Sequence, residues 1–216
     1  MTSNLSNSSS ESYLGLYSAL GLIFSIIGFL TLLDAEQQKN LLVEGGLFES
    51  LTVYLYIFCL ILICVKWHWQ KILSNWYLPA LIILFAFREL DYDKAYFTHG
   101  VLKSRQYFSD LVGLPELLIS IAVLIFILTV LALIVLKEKI NFIKAIIDLK
   151  QSQLAVLASI ILVIVTKTID GMERKFGIDL SPSGERFALI VEEVGEMGIP
   201  IMFAIAILSW RNKNQS

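Results

Sequence analysis

Histidine and cysteine are scarce in this chain, which has only 2 of each among 216 residues. Cys59 and Cys64 lie in one apolar segment on different helix faces, in a pattern typical neither of a disulfide scaffold nor of a Cys/His zinc site. The histidines, His68 and His99, stand in no Ser/His or Cys/His arrangement for nucleophilic catalysis. Any enzymatic chemistry must therefore use carboxylates, or a metal held mainly by them.

Charged residues are also scarce. They make up 17% of the chain, whereas ordinary soluble domains contain about 25%. Hydrophobic residues reach 56%, which is too apolar for a water-soluble surface. The net charge of −2 provides no basic surface for DNA or RNA. These values exclude a soluble enzyme domain, a disordered chain and a nucleic-acid-binding protein, and they predict a multi-span helical membrane protein.

The hydrophobic runs predict an all-α bundle of six transmembrane helices, because a helix needs about 20 residues to cross the hydrocarbon core. Half of the spans carry charged residues at one end. The predicted spans are residues 13–33, 48–66, 76–96, 117–136, 154–174 and 185–209, within a membrane domain covering 13–210. Residues 1–12 are predicted to be a disordered tail without the basic start of a signal peptide, and residues 211–216 a second tail.

Three features outside the charged spans carry further predictions. Segment 137–153 mixes isoleucines with lysines, which predicts a short amphipathic helix lying in the membrane interface. Ser181 and Pro182 have the residue types of an N-cap and a first helical position, so they predict the start of the last helix. The first and fourth spans bring no ionisable residue to the charged region and are predicted to be packing or lipid-facing supports.

Six spans place both termini on one side of the membrane, together with the second and fourth connections. Of the 19 acidic residues, this terminal side then has only Glu11, Glu138 and Asp148. Lysines and arginines divide almost equally between the sides, but some on the acid-rich side fall at membrane depth, namely Arg88, Lys94 and Lys167. With these discounted, the positive-inside rule predicts that both termini are cytoplasmic in a bacterial inner membrane.

Ionisable residues gather where four predicted spans meet the acid-rich side. Because ionisable groups within a membrane are costly, they should face the bundle interior or a wet cavity and pair with one another. We therefore predict an acid-rich pocket for a ligand or ion in the outer half of the bundle. Its candidate residues are Glu49, Arg88, Glu89, Asp91, Asp93, Lys94, Lys167, Asp170, Glu173, Arg174, Glu192, Glu193 and Glu196.

Helical spacing predicts how some of these residues pair. Arg88 with Asp91, and Lys167 with Asp170, are i,i+3 neighbours. Ion pairs of this kind could serve only to hold the helices together. That interpretation accounts less well for the acids at 192, 193 and 196, which outnumber nearby bases and are suited to proton handling or cation binding.

A divalent metal is a further candidate for the same region. Asp91, His99, Glu192 and Glu196 would be its ligands, since carboxylate oxygens and imidazole nitrogens hold such ions. The alternative is that His99 is a loop residue at the membrane interface. The sequence indicates no other cofactor.

The segment Arg88-Glu89-Leu90-Asp91-Tyr92-Asp93-Lys94, followed by LKSRQY at 102–107, resembles an uncharacterised family of bacterial multi-pass inner-membrane proteins. That family has an Arg-Glu-x-Asp-(Phe/Tyr)-x-Lys motif at the end of its third span. The resemblance implies a membrane-embedded polar site and no named activity. A resemblance to the membrane zinc hydrolases similar to alkaline ceramidase is not supported, because those enzymes need several histidines at membrane depth.

Three functions remain open at this point. The first is binding or movement of a cation, a proton or a cationic head group, carried by Glu192, Glu196, Asp91 and Asp170; the apolar inner halves of three spans favour a one-sided pocket over a channel. The second is an intramembrane enzyme that acts on a lipid through carboxylates or a metal. The third is a structural or sensor subunit. The predicted partners are the lipid bilayer and a small cation or lipid ligand, with no nucleic acid.

Overall fold

A computed structural model of the chain describes residues 13–43, 45–172, 177 and 179–210. This part of the chain is helical and contains no strand, which confirms the predicted all-α class. Its helices are α1 (Leu14–Thr31), α2 (Ala35–Leu41), α3 (Leu47–Lys66), α4 (Trp69–Ser74), α5 (Tyr77–Glu89), α6 (Tyr92–Tyr96), α7 (Arg105–Phe108), α8 (Leu114–Ile147), α9 (Gln151–Ile169) and α10 (Pro182–Ser209).

Four of the described helices are long and apolar enough to cross a membrane: α1, α3, α9 and the Leu114–Ile140 part of α8. Helix α5 has 13 residues, which correspond to about 20 Å of helix axis. Helix α10 has 28 residues but carries three glutamates near its middle. The chain therefore has the architecture of a helical membrane protein, and membrane crossing by α5 and α10 stays a prediction.

Helix α10 lies at the centre of the described bundle. It packs most extensively against α9 and also contacts α3 and α1, while α5 packs between α3 and α8. Its side chains from Val194 to Pro200 are buried without interruption, although burial of a single stripe is usual for a helix. The apolar half of α10 contributes Ile199 and Met202, both fully buried, to two hydrophobic clusters that hold the bundle together.

Small residues allow α9 and α10 to approach closely. A Cβ atom added to Gly195 would lie 2.6 Å from Cγ2 of Thr166, so a side chain at this position would clash. The buried face of α9 also includes Ala155 and Ser159. Helices in membranes associate through such small residues because apolar side chains gain little by leaving lipid for one another.

Several helix ends meet at one end of the bundle, here called the terminal end. The Tyr13 hydroxyl, just before α1, donates to the Leu149 carbonyl at 2.8 Å, just before α9. The Lys66 ammonium, at the end of α3, donates to the Ile207 carbonyl at 3.1 Å, near the end of α10. Both described ends of the chain thus lie beside the second and fourth connections, as an alternating up-and-down arrangement requires.

The prediction of a separate short helix in segment 137–153 is wrong. Helix α8 is a single helix of 34 residues that continues to Ile147. The physical reason is that no glycine or proline follows Pro115 within it, and its lysines and glutamate are good helix formers. The Tyr77 hydroxyl, which donates to Oε1 of Glu138 at 2.7 Å, holds this extension against the start of α5.

The predicted span at 76–96 is divided into two helices. Helix α5 ends at Glu89, and α6 begins only after Asp91, whose φ of 50° is left-handed. Aspartate is one of the few residues other than glycine that adopt this conformation readily. The last helix begins as predicted, because the Ser181 side chain caps α10 by accepting from the Gly184 amide at 3.3 Å.

Candidate functional site

Glu196 of α10 is the centre of an ion-pair group that joins three helices. Its Oε1 atom lies 2.6 Å from Nη2 of Arg88 in α5 and 3.2 Å from Nζ of Lys167 in α9. The Glu196 side chain is only 11% exposed, whereas those of Arg88 and Lys167 are 36% and 38% exposed. One buried carboxylate therefore holds two partly exposed bases, and the arrangement fixes the ends of α5 and α9 to the middle of α10.

The group lies deep within the bundle. At 1.5 Å per residue, Glu196 is about 16 Å along α10 from Ile207 at the terminal end, and Arg88 is about 16 Å along α5 from Tyr77. The hydrocarbon core of a bilayer is about 30 Å thick. If the terminal end marks one membrane surface, these ion pairs lie near the middle of the membrane. The short α5 is what brings an arginine to this depth.

Glu89 places a second buried carboxyl group beside the first. The residue is 8% exposed, and the charges of Glu196, Arg88 and Glu193 act on its carboxyl group. It is the last residue of α5, so the same helix end supplies both a base and an acid. Arginine is always charged in proteins, and it therefore favours at least one ionised carboxylate in this pair.

Glu192 and Glu193 extend the acidic surface on α10. Both are half-buried, and in the described part of the chain neither accepts a hydrogen bond or forms an ion pair. The acids that interact with Glu193 are Glu196, Glu192 and Glu49. Glu49, in the first turn of α3, accepts from the Gly45 amide at 2.6 Å. Carboxylates from α3, α5 and α10 thus face a common region.

Tyr56 is a further member of this site. It is fully buried on α3 and stacks on Phe85 of α5, with ring centroids 5.9 Å apart. Its phenol interacts with Glu89, Arg88 and Glu196. A tyrosine at helical spacing on an apolar span gives no signal in the sequence that separates this role from ordinary packing.

Asp91, Asp93 and Lys94 make local contacts after the end of α5. Lys94 Nζ lies 2.9 Å from Oδ2 of Asp91, and a Cβ on Gly100 would lie 2.7 Å from Oδ2 of Asp93. The predicted pairing of Arg88 with Asp91 is wrong, because the helix that would align them ends at Glu89.

The remaining candidates lie at the end of α9. Asp170 is 3.2 Å from Lys167, so the predicted pairing of these i,i+3 neighbours is confirmed. Glu173 and Arg174 lie outside the described residues.

The predicted metal ligands are not assembled. Among the described residues, no group of three or more His, Cys, Asp or Glu side chains could hold a metal ion. His99 lies with Glu116 at the start of α8, and its backbone amide donates to Oε1 of Gln106 at 2.8 Å. The predicted ligand set of Asp91, His99, Glu192 and Glu196 is therefore wrong. The loop after α6 carries His99 towards α8 instead of α10.

A buried glutamine, which no sequence pattern indicates, organises that loop. Gln106 is fully buried, and its Nε2 donates to Glu116 at 2.8 Å and to Ser120 at 3.0 Å. Glu116 also accepts from the Thr98 amide at 2.6 Å. These contacts fix segment 98–106 on the first turns of α8.

Comparisons with family models, with curated proteins and with solved structures found no match for this chain. The interpretation of the site therefore rests on its own geometry.

Proposed function

We propose that this protein is a multi-pass protein of the bacterial inner membrane that binds or moves a small cation, a proton or a cationic head group. The site would be the acid cluster, defined as Glu49, Glu89, Glu192, Glu193 and Glu196. Arg88 and Glu89 come from the 88–94 segment, for which the family resemblance implies a membrane-embedded polar site. Both termini would be cytoplasmic, so the cluster would be reached from the outer side.

The excess of acids over bases carries this proposal. Glu196 accepts from both Arg88 and Lys167, which leaves the other carboxyl groups of the cluster without an equal number of bases among the described residues. Taking an ionised carboxylate out of water costs several kcal/mol unless it is paired. Half-buried carboxyl groups that face one another therefore favour either a shared proton or a bound cation.

Exposure along α10 supports access from one side only. Glu185 is exposed, Glu192 is half-buried and Glu196 is buried, and they lie on one helical stripe. Beyond Glu196, the buried residues Met197–Pro200 and Met202 are all apolar and pack against α1 and α3. A one-sided binding site fits this gradient better than a continuous channel.

The structural alternative also has an observation in its favour, because the ion pairs of Glu196 join α5, α9 and α10. The structural alternative differs from the binding proposal in whether it needs Glu192 and Glu193. A purely structural group needs its paired residues, whereas a binding site also needs the half-buried carboxylates that form no ion pair with another described residue. The decisive experiment therefore leaves Glu196 intact and changes Glu192 and Glu193.

The test measures stabilisation of the purified full-length protein in nanodiscs by defined probes: protons, Na⁺, K⁺ and choline. A ligand at one hundred times its dissociation constant stabilises the folded state by about 2.7 kcal/mol. We expect one probe to raise the unfolding temperature of the native protein, and we expect Glu192→Gln with Glu193→Gln to abolish that increase. Glu185→Gln is the matched control, because it removes an exposed carboxylate from the same helix.

Retention of the increase in the double variant would contradict the proposed site, and so would an equal loss in the Glu185→Gln control. If no probe stabilises the native protein while the two glutamine substitutions leave its stability unchanged, the structural alternative is supported.

A further inference from the structure

The extension of α8 beyond the predicted span has an exposed apolar stripe. Leu136, Ile140, Ile143 and Ile147 follow one another at helical spacing, and each is between 49% and 80% exposed. In the described part of α8, the fully buried side chains are those of Ser120 and Val130, so the helix contacts its neighbours along a narrow side. The stripe continues the apolar surface of the membrane-crossing part without a break.

Lysines border this stripe on both edges. At 100° per residue, Lys137 and Lys144 fall on one edge and Lys139 on the other, so their stems can lie along the apolar side chains. The nearby acid, Glu138, falls on the far face, where it accepts a hydrogen bond from Tyr77. The exposed face of the extension is therefore apolar in the middle and positive at its edges.

The length of α8 is compatible with the apolar stripe lying within the total thickness of the bilayer. Its 34 residues correspond to about 51 Å of helix axis. A bilayer with its head groups is about 40–45 Å thick. A tilt of about 30°, within the usual range for membrane helices, keeps the whole helix within that thickness. Lys144 then lies in the head-group layer, and Lys139 lies about 3–5 Å inside the hydrocarbon boundary, from where its long side chain reaches the lipid phosphates.

We propose that residues 136–147 of α8 extend from the hydrocarbon boundary into the head-group layer at the terminal end and bind anionic phospholipids through Lys139 and Lys144. The apolar stripe fits the acyl-chain boundary, and the lysines complement the charge of phosphodiester head groups. A zwitterionic lipid would contact the apolar stripe equally well, but its electrostatic attraction to the lysines would be weaker. This surface is separate from the acid cluster and does not depend on its function.

The test uses a fluorescent bimane label at Ile143→Cys in Cys64→Ser protein, in which the remaining Cys59 is buried. The full chain is reconstituted in vesicles, and quenching is compared between phosphatidylglycerol and phosphatidylcholine carrying the same spin label. We expect stronger quenching by phosphatidylglycerol. Each lysine at an anionic surface contributes about 1 kcal/mol, so each of Lys139→Gln and Lys144→Gln should lower that preference about fivefold.

Two controls make the result specific. Lys103→Gln removes an exposed lysine from the loop before α7 and should leave the lipid preference unchanged. A label at Asp148→Cys, just after the end of α8, should be quenched less than the label at 143.

Equal quenching by the two lipids would overturn the proposal, as would a label at 143 that is no more accessible to lipid than one at 148. Weak quenching with efficient disulfide cross-linking between Ile143→Cys chains would also overturn it and would assign the stripe to a second copy.

Discussion

Removal of one partner from the Arg88–Glu196 pair tests whether this ion pair stabilises the folded protein. Arg88→Met keeps most of the side-chain volume but leaves Glu196 with Lys167 as its remaining described partner, at 3.2 Å. Loss of one member of a buried ion pair costs about 3–5 kcal/mol. Because the Arg88 side chain is 36% exposed, solvent screening reduces this value, and we expect a loss of about 2 kcal/mol in the free energy of unfolding.

Glu196→Gln removes the common acceptor instead. It leaves Arg88 and Lys167 near each other without the carboxylate between them, so we expect a loss of about 2–3 kcal/mol. The double variant loses less than the sum of the two single variants, because the pair can be broken only once. The expected coupling energy is about 1–2 kcal/mol, within the range for residues in direct contact.

The assay is reversible unfolding of the four proteins in mixed micelles, followed by the loss of helical circular dichroism. A second cycle on Lys94 and Asp91 is the control, since that pair is 2.9 Å apart but its side chains are 61% and 45% exposed. Its coupling should be only about 0.2–1 kcal/mol. Additive effects for Arg88 and Glu196, within about 0.5 kcal/mol, would refute the assigned contact.

Further substitutions test the packing. Gly195→Ala should lower stability by about 1–3 kcal/mol through overpacking. Gly28→Ala should raise it by about 0.5–1 kcal/mol, because a Cβ atom at this position would have no neighbour within 4 Å. Thermal unfolding of both variants checks the opposite signs. Gln106→Ala should cost about 1–3 kcal/mol by leaving buried partners unsatisfied, and it should increase proteolysis of segment 98–106. A membrane-permeant maleimide should modify exposed Cys64 and spare buried Cys59; equal labelling would contradict the placement of α3.

The sequence predicts much of the fold because membrane helices must be both apolar and long. The apolar runs at 13–33 and 48–66 correspond to α1 and α3 with small differences at their ends. Helix capping is also local, and Ser181 with Pro182 marked the start of α10 correctly. By contrast, hydropathy decreases at Lys137 although the helix continues to Ile147. Hydropathy reports membrane depth, whereas helix continuation depends on backbone propensity.

The composition of the site was less predictable than its region. The crowding of acids on α10 indicated Glu192, Glu193 and Glu196, and they do face carboxyl groups from other helices. The partner of Arg88 was assigned wrongly, because sequence spacing assumed a continuous helix through Asp91. Tertiary packing decides such pairings, since a left-handed residue after Glu89 turns the chain and leaves Arg88 to face α10.

The ion pairs and the acid excess have one structural origin, namely the short length of α5. A full-length span would place its last charged turn at the membrane surface, where water screens the charges. Helix α5 instead ends after about 20 Å, so Arg88 and Glu89 reach the bundle at the same depth as Glu196. Arg88 then offsets the free-energy cost of burying the Glu196 carboxylate. Glu89 adds a second carboxyl group, and one arginine cannot neutralise both. The contact that stabilises the bundle thus also creates the excess negative charge that a cation or a proton would balance.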